Sequence, residues 1–142
     1  MSGVSKMLCI LYGSIALAAL AATWSQNLQY GGGGSAMQYL FDLKASAASR
    51  SFTVDIGFFL LAGAVLMVAE ARRLGVGWVW LYVIFGFIIA ISVTFPLFLI
   101  ARERRLAKVS PVDSALRLTA SDIVGLGLLT LVVLGFSGFI LR

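Results

Sequence analysis

The sequence predicts an all-α integral membrane protein: four transmembrane helices, with a short interfacial amphipathic helix in the first loop. Three observations predict this class. Hydrophobic residues make up 61% of the 142 and charged residues only 12%, against roughly 45–50% and about 25% in an ordinary soluble domain. The mean hydropathy is +1.01, and a water-soluble domain of this length would be unable to cover so much apolar surface. The apolar residues fall in four runs, each near the about 20 residues that a helix needs to cross roughly 30 Å of hydrocarbon. These runs are continuous rather than alternating, so their backbone groups are satisfied within helices and not in a barrel. The four runs read as a single membrane domain over residues 1–142.

The first span covers about residues 4–24 and carries one charge, Lys6. Its lysine, apolar stretch and Ala19-Leu20-Ala21 also fit a signal peptide, but the segment reads as a retained first helix. Loop one, 25–51, opens with Ser25-Gln26-Asn27, passes through Gly31 to Gly34, and holds a helix predicted over 35–50. Met37, Leu40, Phe41 and Lys44 share one side of it, the pattern of a piece lying in the membrane interface. The second span covers about 52–69, with Asp55 inside one end and Glu70-Ala71-Arg72-Arg73 at the other. A tight hairpin over 70–76 leads to the third span, about 77–100, which Trp78, Trp80 and Tyr82 enter. With Trp24 and Tyr30, these aromatics fit interfacial belts. A basic loop over 102–121 precedes the fourth span, about 122–141.

Several function classes are excluded. There is no histidine, so His-ligated haem, His-based zinc sites and Ser-His or Cys-His nucleophiles are excluded within this chain. The one cysteine, Cys9, can form neither an intramolecular disulfide nor a thiolate metal cage. Cys9 reads as a small apolar filler. Eleven basic residues against six acidic give a net charge of +5. The basic residues lie between apolar runs, where they meet headgroups and set orientation rather than bind nucleic acid. The headgroup contacts expected are Arg72, Arg73, Arg102, Arg104, Arg105 and Lys108. If the spans alternate, loops one and three share a face and carry seven basic residues, against four on the other. The positive-inside rule then puts loops one and three in the cytoplasm, although Arg72-Arg73 pulls the opposite way. No internal repeat is visible, so an inverted-repeat transporter is not indicated. Spans without internal charge likewise give a channel little to line its pathway.

Three stretches together resemble a known family. They are Ser49-Arg50-Ser51-Phe52-Thr53-Val54-Asp55, Glu70-Ala71-Arg72-Arg73-Leu74-Gly75, and Phe95-Pro96-Leu97-Phe98-Leu99 followed by Arg102-Glu103-Arg104. Over about residues 24–106 the chain resembles a family of small bacterial polytopic membrane proteins with a domain of unknown function. The resemblance implies a compact helical membrane protein, places it in a bacterial inner membrane, and lends no catalytic residue.

Ionisable groups beside a span are costly and are candidates for function. Alternation puts Asp55, Asp122 and Glu103 on one face, together with Thr94 and Pro96. Pro96 frees a backbone carbonyl near Ser92 and opens a polar notch. The expectation is a cavity on the loop-one and loop-three face with Asp55 near its floor. Asp122, after Thr119 and Ser121, also fits a helix cap, and Glu70 with Arg73 fits an i,i+3 ion pair. Small residues form close-packing or partner faces: Ser14, Ala18 and Ala22 on span one, Gly86 and Ala90 on span three, and Gly125, Gly127, Gly135 and Gly138 on span four.

The leading expectation is an accessory or structural subunit of a larger membrane complex, in contact with membrane lipids and other membrane-protein subunits. It needs no cofactor and no metal, although the span-four face would suit a bound lipid or a carotenoid-like pigment. The alternative is an enzyme on an apolar isoprenoid or lipid, with Asp55 as acid and Asp122 or Glu103 assisting.

Overall fold

The computed structural model describes residues 3–31, 36–109 and 119–140, and every regular element among them is a helix. The chain divides into two compact units, Met1–Pro111 and Val112–Arg142, where the sequence reads as one domain. Each is described by itself. Four helical stretches are long and apolar enough to cross a membrane: Gly3–Gln29, Ala47–Leu74, Val79–Val109 and Ala120–Gly138. By length and composition, the all-helical membrane class with four such stretches is as the sequence predicts.

Helix α1, Gly3–Gly31, runs well past Trp24. The polar residues expected to leave the helix continue it instead, because their side chains find partners along it. Ser25 Oγ donates to the Ala22 carbonyl at 2.8 Å, and Gln29 Nε2 donates to the Ser25 carbonyl at 3.4 Å. The glycines 32–34 lie outside the described residues. The helix predicted over 35–50 is two elements: α2, Ala36–Asp42, and the start of α3, Ala47–Leu74. Ser46 divides them by capping α3, its Oγ accepting from the Ser49 amide at 3.0 Å. Such a cap satisfies an otherwise orphaned donor and fixes where a helix begins. Met37, Leu40 and Phe41 of α2 are exposed.

Helix α3 ends at Gly75, whose φ of 67° is the left-handed conformation that glycine adopts without steric cost. Its amide and that of Val76 both donate to the Ala71 carbonyl. Trp78, with φ 58°, then turns the chain into α4, Val79–Phe85. A π-helical turn, Gly86–Ala90, joins α4 to α5, Ile91–Val109.

These last three pieces do not form a straight rod. The Tyr82 and Phe98 rings meet edge to face at 5.8 Å, yet sixteen residues of straight helix would separate them by about 24 Å. A Cβ on Gly86 would lie 3.1 Å from Thr94 Oγ1, eight residues on. The chain therefore reverses at the π turn, and α4 folds back along α5 as a helical hairpin. Helix α3 runs parallel to α5. Gly63 packs beside Phe95 and Ile91, the Phe59 ring meets that of Phe95 at 6.4 Å, and Glu70 bonds to Arg102 at 2.7 Å. Seven residues along α3, from 63 to 70, thus match seven residues along α5, from 95 to 102, in the same direction. Helix α1 runs antiparallel to α5, with Gly13 beside Ile100 and with Cys9 and Tyr12 within electrostatic reach of Glu103.

The core of this unit gathers Leu60, Met67, Ala71, Val79, Val83, Ile91 and Phe98, and both Met67 and Phe98 are completely covered. Lipid tails are as apolar as these side chains, so their gain comes from close packing and dispersion rather than from escaping water. Helix α6, Ala120–Ile140, is the regular element of the second unit.

Candidate functional site

The hairpin corrects the alternation on which the expected cavity rests. Alternation puts the 70–76 hairpin and the start of loop three on opposite faces, but α3 and α5 are parallel and their C-terminal ends lie together. The start of α1, the 75–78 turn and residues 102–109 thus gather at one end of the unit. The 43–46 turn and the start of α3 lie at the other. Within this unit the 43–46 turn of loop one and residues 102–109, the start of loop three, therefore lie at opposite ends.

At the charged end, Arg102 joins two carboxylates. Its Nε donates to Glu70 Oε2 at 2.7 Å and its Nη1 to Glu103 Oε1 at 3.2 Å. Arg73 Nη2 reaches both oxygens of Glu70, at 2.9 and 3.0 Å, so the expected Glu70–Arg73 pair is present and is extended across to α5. Both carboxylates are largely covered, with Glu103 only 8% exposed. Charge-assisted contacts of this kind offset the desolvation of the acids. Arg102 is therefore committed to holding α3 to α5, whereas Arg72, Arg73, Arg104, Arg105 and Lys108 keep exposed surfaces.

Asp55 sits elsewhere. It is exposed, two turns into α3, and fifteen residues of helix place it about 22 Å from Glu70. It cannot act together with Glu103, which lies beside Arg102 at the opposite end. Asp122 closes the start of α6. Its Oδ2 accepts from the Thr119 amide at 2.8 Å and from Thr119 Oγ1 at 2.6 Å, and its own amide donates to Thr119 Oγ1 at 3.3 Å. This reciprocal pairing is a capping box. Thr94 and Pro96 are buried within α5, and Thr94 Oγ1 donates to the Ala90 carbonyl at 3.4 Å.

On α1 the small residues Ser14 and Ala18 are exposed and Ala22 is half-buried, while Leu8 and Ala16 are the buried positions. Gly86 is buried where α4 meets α5, and Ala90 is half-buried in the π turn. Gly125, Gly127, Gly135 and Gly138 have open space where a Cβ would stand. Trp24 lies toward the far end of α1, and Trp78 and Trp80 are exposed at the charged end. The side chain of Tyr30 lies outside the described residues.

Among the described residues of the first unit, two concavities stand out. One, of about 340 Å³, lies between α2 and the start of α3 and includes Tyr39, Leu43, Phe52 and Ile56. The other is an apolar groove of about 500 Å³ along the hairpin, lined among others by Trp78, Leu81, Tyr82, Val93, Thr94 and Leu97. Neither includes Asp55.

Long apolar helices, a folded-back helix pair and charges gathered at one end define a polytopic α-helical membrane protein. Residues 11–104 match the family described as protein of unknown function DUF2834, and the chain belongs to that family. The matched region covers most of α1, all of α3 and the hairpin, and ends just after Arg102 and Glu103. No curated protein and no solved structure matches the chain.

Proposed function

We propose that this chain is a non-catalytic subunit of a bacterial inner-membrane assembly, working by helix packing against lipids and neighbouring membrane proteins. The observation that carries this reading is the use made of its carboxylates. Of the five among the described residues, Glu70 and Glu103 are held by arginines, Asp122 caps α6, and Asp42 accepts from Gln38 at 3.0 Å. Asp55 is exposed on α3 and stands outside both concavities. The acids stabilise helices and their contacts, and no acid–base pair is assembled. The open glycine face of α6 suits close approach by a neighbouring helix. Purification from native membranes in mild detergent, followed by mass spectrometry, tests the reading. The expected result is a further membrane protein at fixed stoichiometry, and a chain that always emerges alone overturns it.

The orientation we propose follows from the hairpin. It enters and leaves from one face as a re-entrant element. From Trp78 to Gly86 is eight residues, about 12 Å of helix, which is less than half of a hydrocarbon core of roughly 30 Å. Among the described basic residues, Lys6, Arg72, Arg73, Arg102, Arg104, Arg105 and Lys108 then fall on one side, and Lys44 and Arg50 on the other. Seven against two is a clear bias for the positive-inside rule. The charged end is therefore assigned to the cytoplasm, and the α1–α3 connection to the opposite side.

A further inference from the structure

We propose that the groove along the α4–α5 hairpin holds an acyl chain of an anionic phospholipid whose phosphate is taken by Arg104 and Lys108. The groove supplies the apolar half of such a site. Its volume of about 500 Å³ lies within the about 300–1,000 Å³ usual for ligand sites, and its lining is almost wholly aliphatic and aromatic. Its hydroxyl-bearing members are Thr94, whose hydroxyl is already bonded to the Ala90 carbonyl, and Tyr82, whose ring packs edge to face on Phe98.

Helical register supplies the polar half. Val93 and Leu97 form the α5 wall of the groove. Continuing along the same helix, Ala101, Arg104 and Lys108 follow at steps of four, three and four residues, which keeps all five on one stripe. Arg104 stands about 10 Å beyond Leu97 along the axis, and both it and Lys108 are exposed. Of the other cations of this end, Arg102 is engaged by Glu70 and Glu103 and Arg73 by Glu70, while the exposed Arg72 and Arg105 lie off this stripe. The apolar stripe thus passes directly into the two cations without an acidic residue between them. Trp78 lines the groove at this same end and is 81% exposed, as befits an indole at headgroup depth. An apolar slot leading to a basic rim complements a hydrocarbon chain bearing a net negative head, whereas in a zwitterionic lipid the same phosphate is accompanied by a cation that the basic rim repels. This site stands whether or not a partner protein is found, since it occupies the hairpin and not the α6 face.

Trp24→Phe with Trp80→Phe leaves Trp78 as the sole tryptophan of the full chain and makes it a reporter. The protein is reconstituted in phosphatidylcholine vesicles containing rising fractions of either chain-brominated phosphatidylglycerol or chain-brominated phosphatidylcholine. The expected result is half-maximal quenching of Trp78 at about a thirtyfold lower fraction of the anionic lipid, the scale set by two cations at a headgroup. Arg104→Gln with Lys108→Gln is expected to bring the two curves together, while Arg72→Gln leaves them apart. Identical curves for the two lipids before any charge is altered overturn the proposal, and this comparison needs no basic-residue variant to fold. A preference that survives the double substitution also overturns it. So does a Trp78 that neither lipid quenches, which would mean that protein covers the groove.

Discussion

The fold-back at Gly86 predicts a disulfide that a straight helix forbids. The perturbation is Gly86→Cys with Thr94→Cys in a Cys9→Ser background, so that the two new thiols are the only ones. A Cβ at position 86 lies 3.1 Å from Thr94 Oγ1, the place a cysteine sulfur would take. In a straight helix eight residues put the two Cα atoms about 12 Å apart, well beyond the roughly 7 Å at which bridging fails. At 3.1 Å the unbonded contact is crowded, and forming the S–S bond replaces that crowding with a covalent distance. Membranes are treated with a mild oxidant, denatured, and alkylated with a maleimide-linked polymer that retards each free thiol on a gel. The expected outcome is loss of both thiols within the monomer band, with Gly86→Cys alone remaining fully alkylated. Two thiols still free after oxidation, or a bridge found only at the mass of a dimer, would refute the hairpin and the parallel α3–α5 pairing with it.

Four further outcomes follow from the same geometry. Arg102→Ala leaves Glu103 without its arginine and Glu70 with Arg73 alone; removing one partner of a covered pair costs up to about 3–5 kcal/mol, discounted to roughly 2–3 because Arg102 is partly exposed. Unfolding in mixed detergent micelles measures it, and Arg102→Lys should recover part of the loss. For the orientation, cysteines substituted at Gly77 and at Arg105 should both react with an impermeant maleimide from the cytoplasmic side, and one at Lys44 only from the opposite side. Asp122→Ala should fray the start of α6, seen as faster amide exchange confined to its first turn. Asp55→Asn should leave the cellular lipid and pigment profile unchanged; an altered profile would favour the enzymatic alternative.

Composition and run length made the helical membrane class legible, because the bilayer leaves a chain little choice: apolar runs must be helical and of a given length. Local chemistry was legible too. Thr119 and Asp122 read as a helix start, and Glu70 with Arg73 as an ion pair, because each involves side chains three residues apart whose geometry the helix itself dictates. The Glu70–Arg102 bond was not legible. It depends on a reversal within Val79–Val109, and hydropathy is blind to whether an apolar run goes straight through or folds back. Two signals did point there. Arg72-Arg73 opposed the orientation set by the other basic residues, a conflict that disappears once both groups lie on one face. Gly86, Ala90 and Thr94 were read as a stripe for a neighbouring helix, but the element Gly86 admits is the returning half of its own hairpin. The expected cavity over Asp55 failed for the same reason, since it took alternation as given.

The hairpin also has a history in time. Once α3 has entered the membrane, the following residues present one long greasy segment that would normally be carried across. The cations from Arg102 to Lys108 follow it and resist translocation, so the tail of the segment is retained on the side from which it came. Each arm by itself is too shallow to persist, and the backbone of the π turn would meet hydrocarbon if left bare. The pair gains shelter only when α1 and α3 already flank it. On the orientation proposed above, charge at one end of α5 favours doubling back over crossing, so that the basic cluster bears on the order of insertion as well as on the final packing.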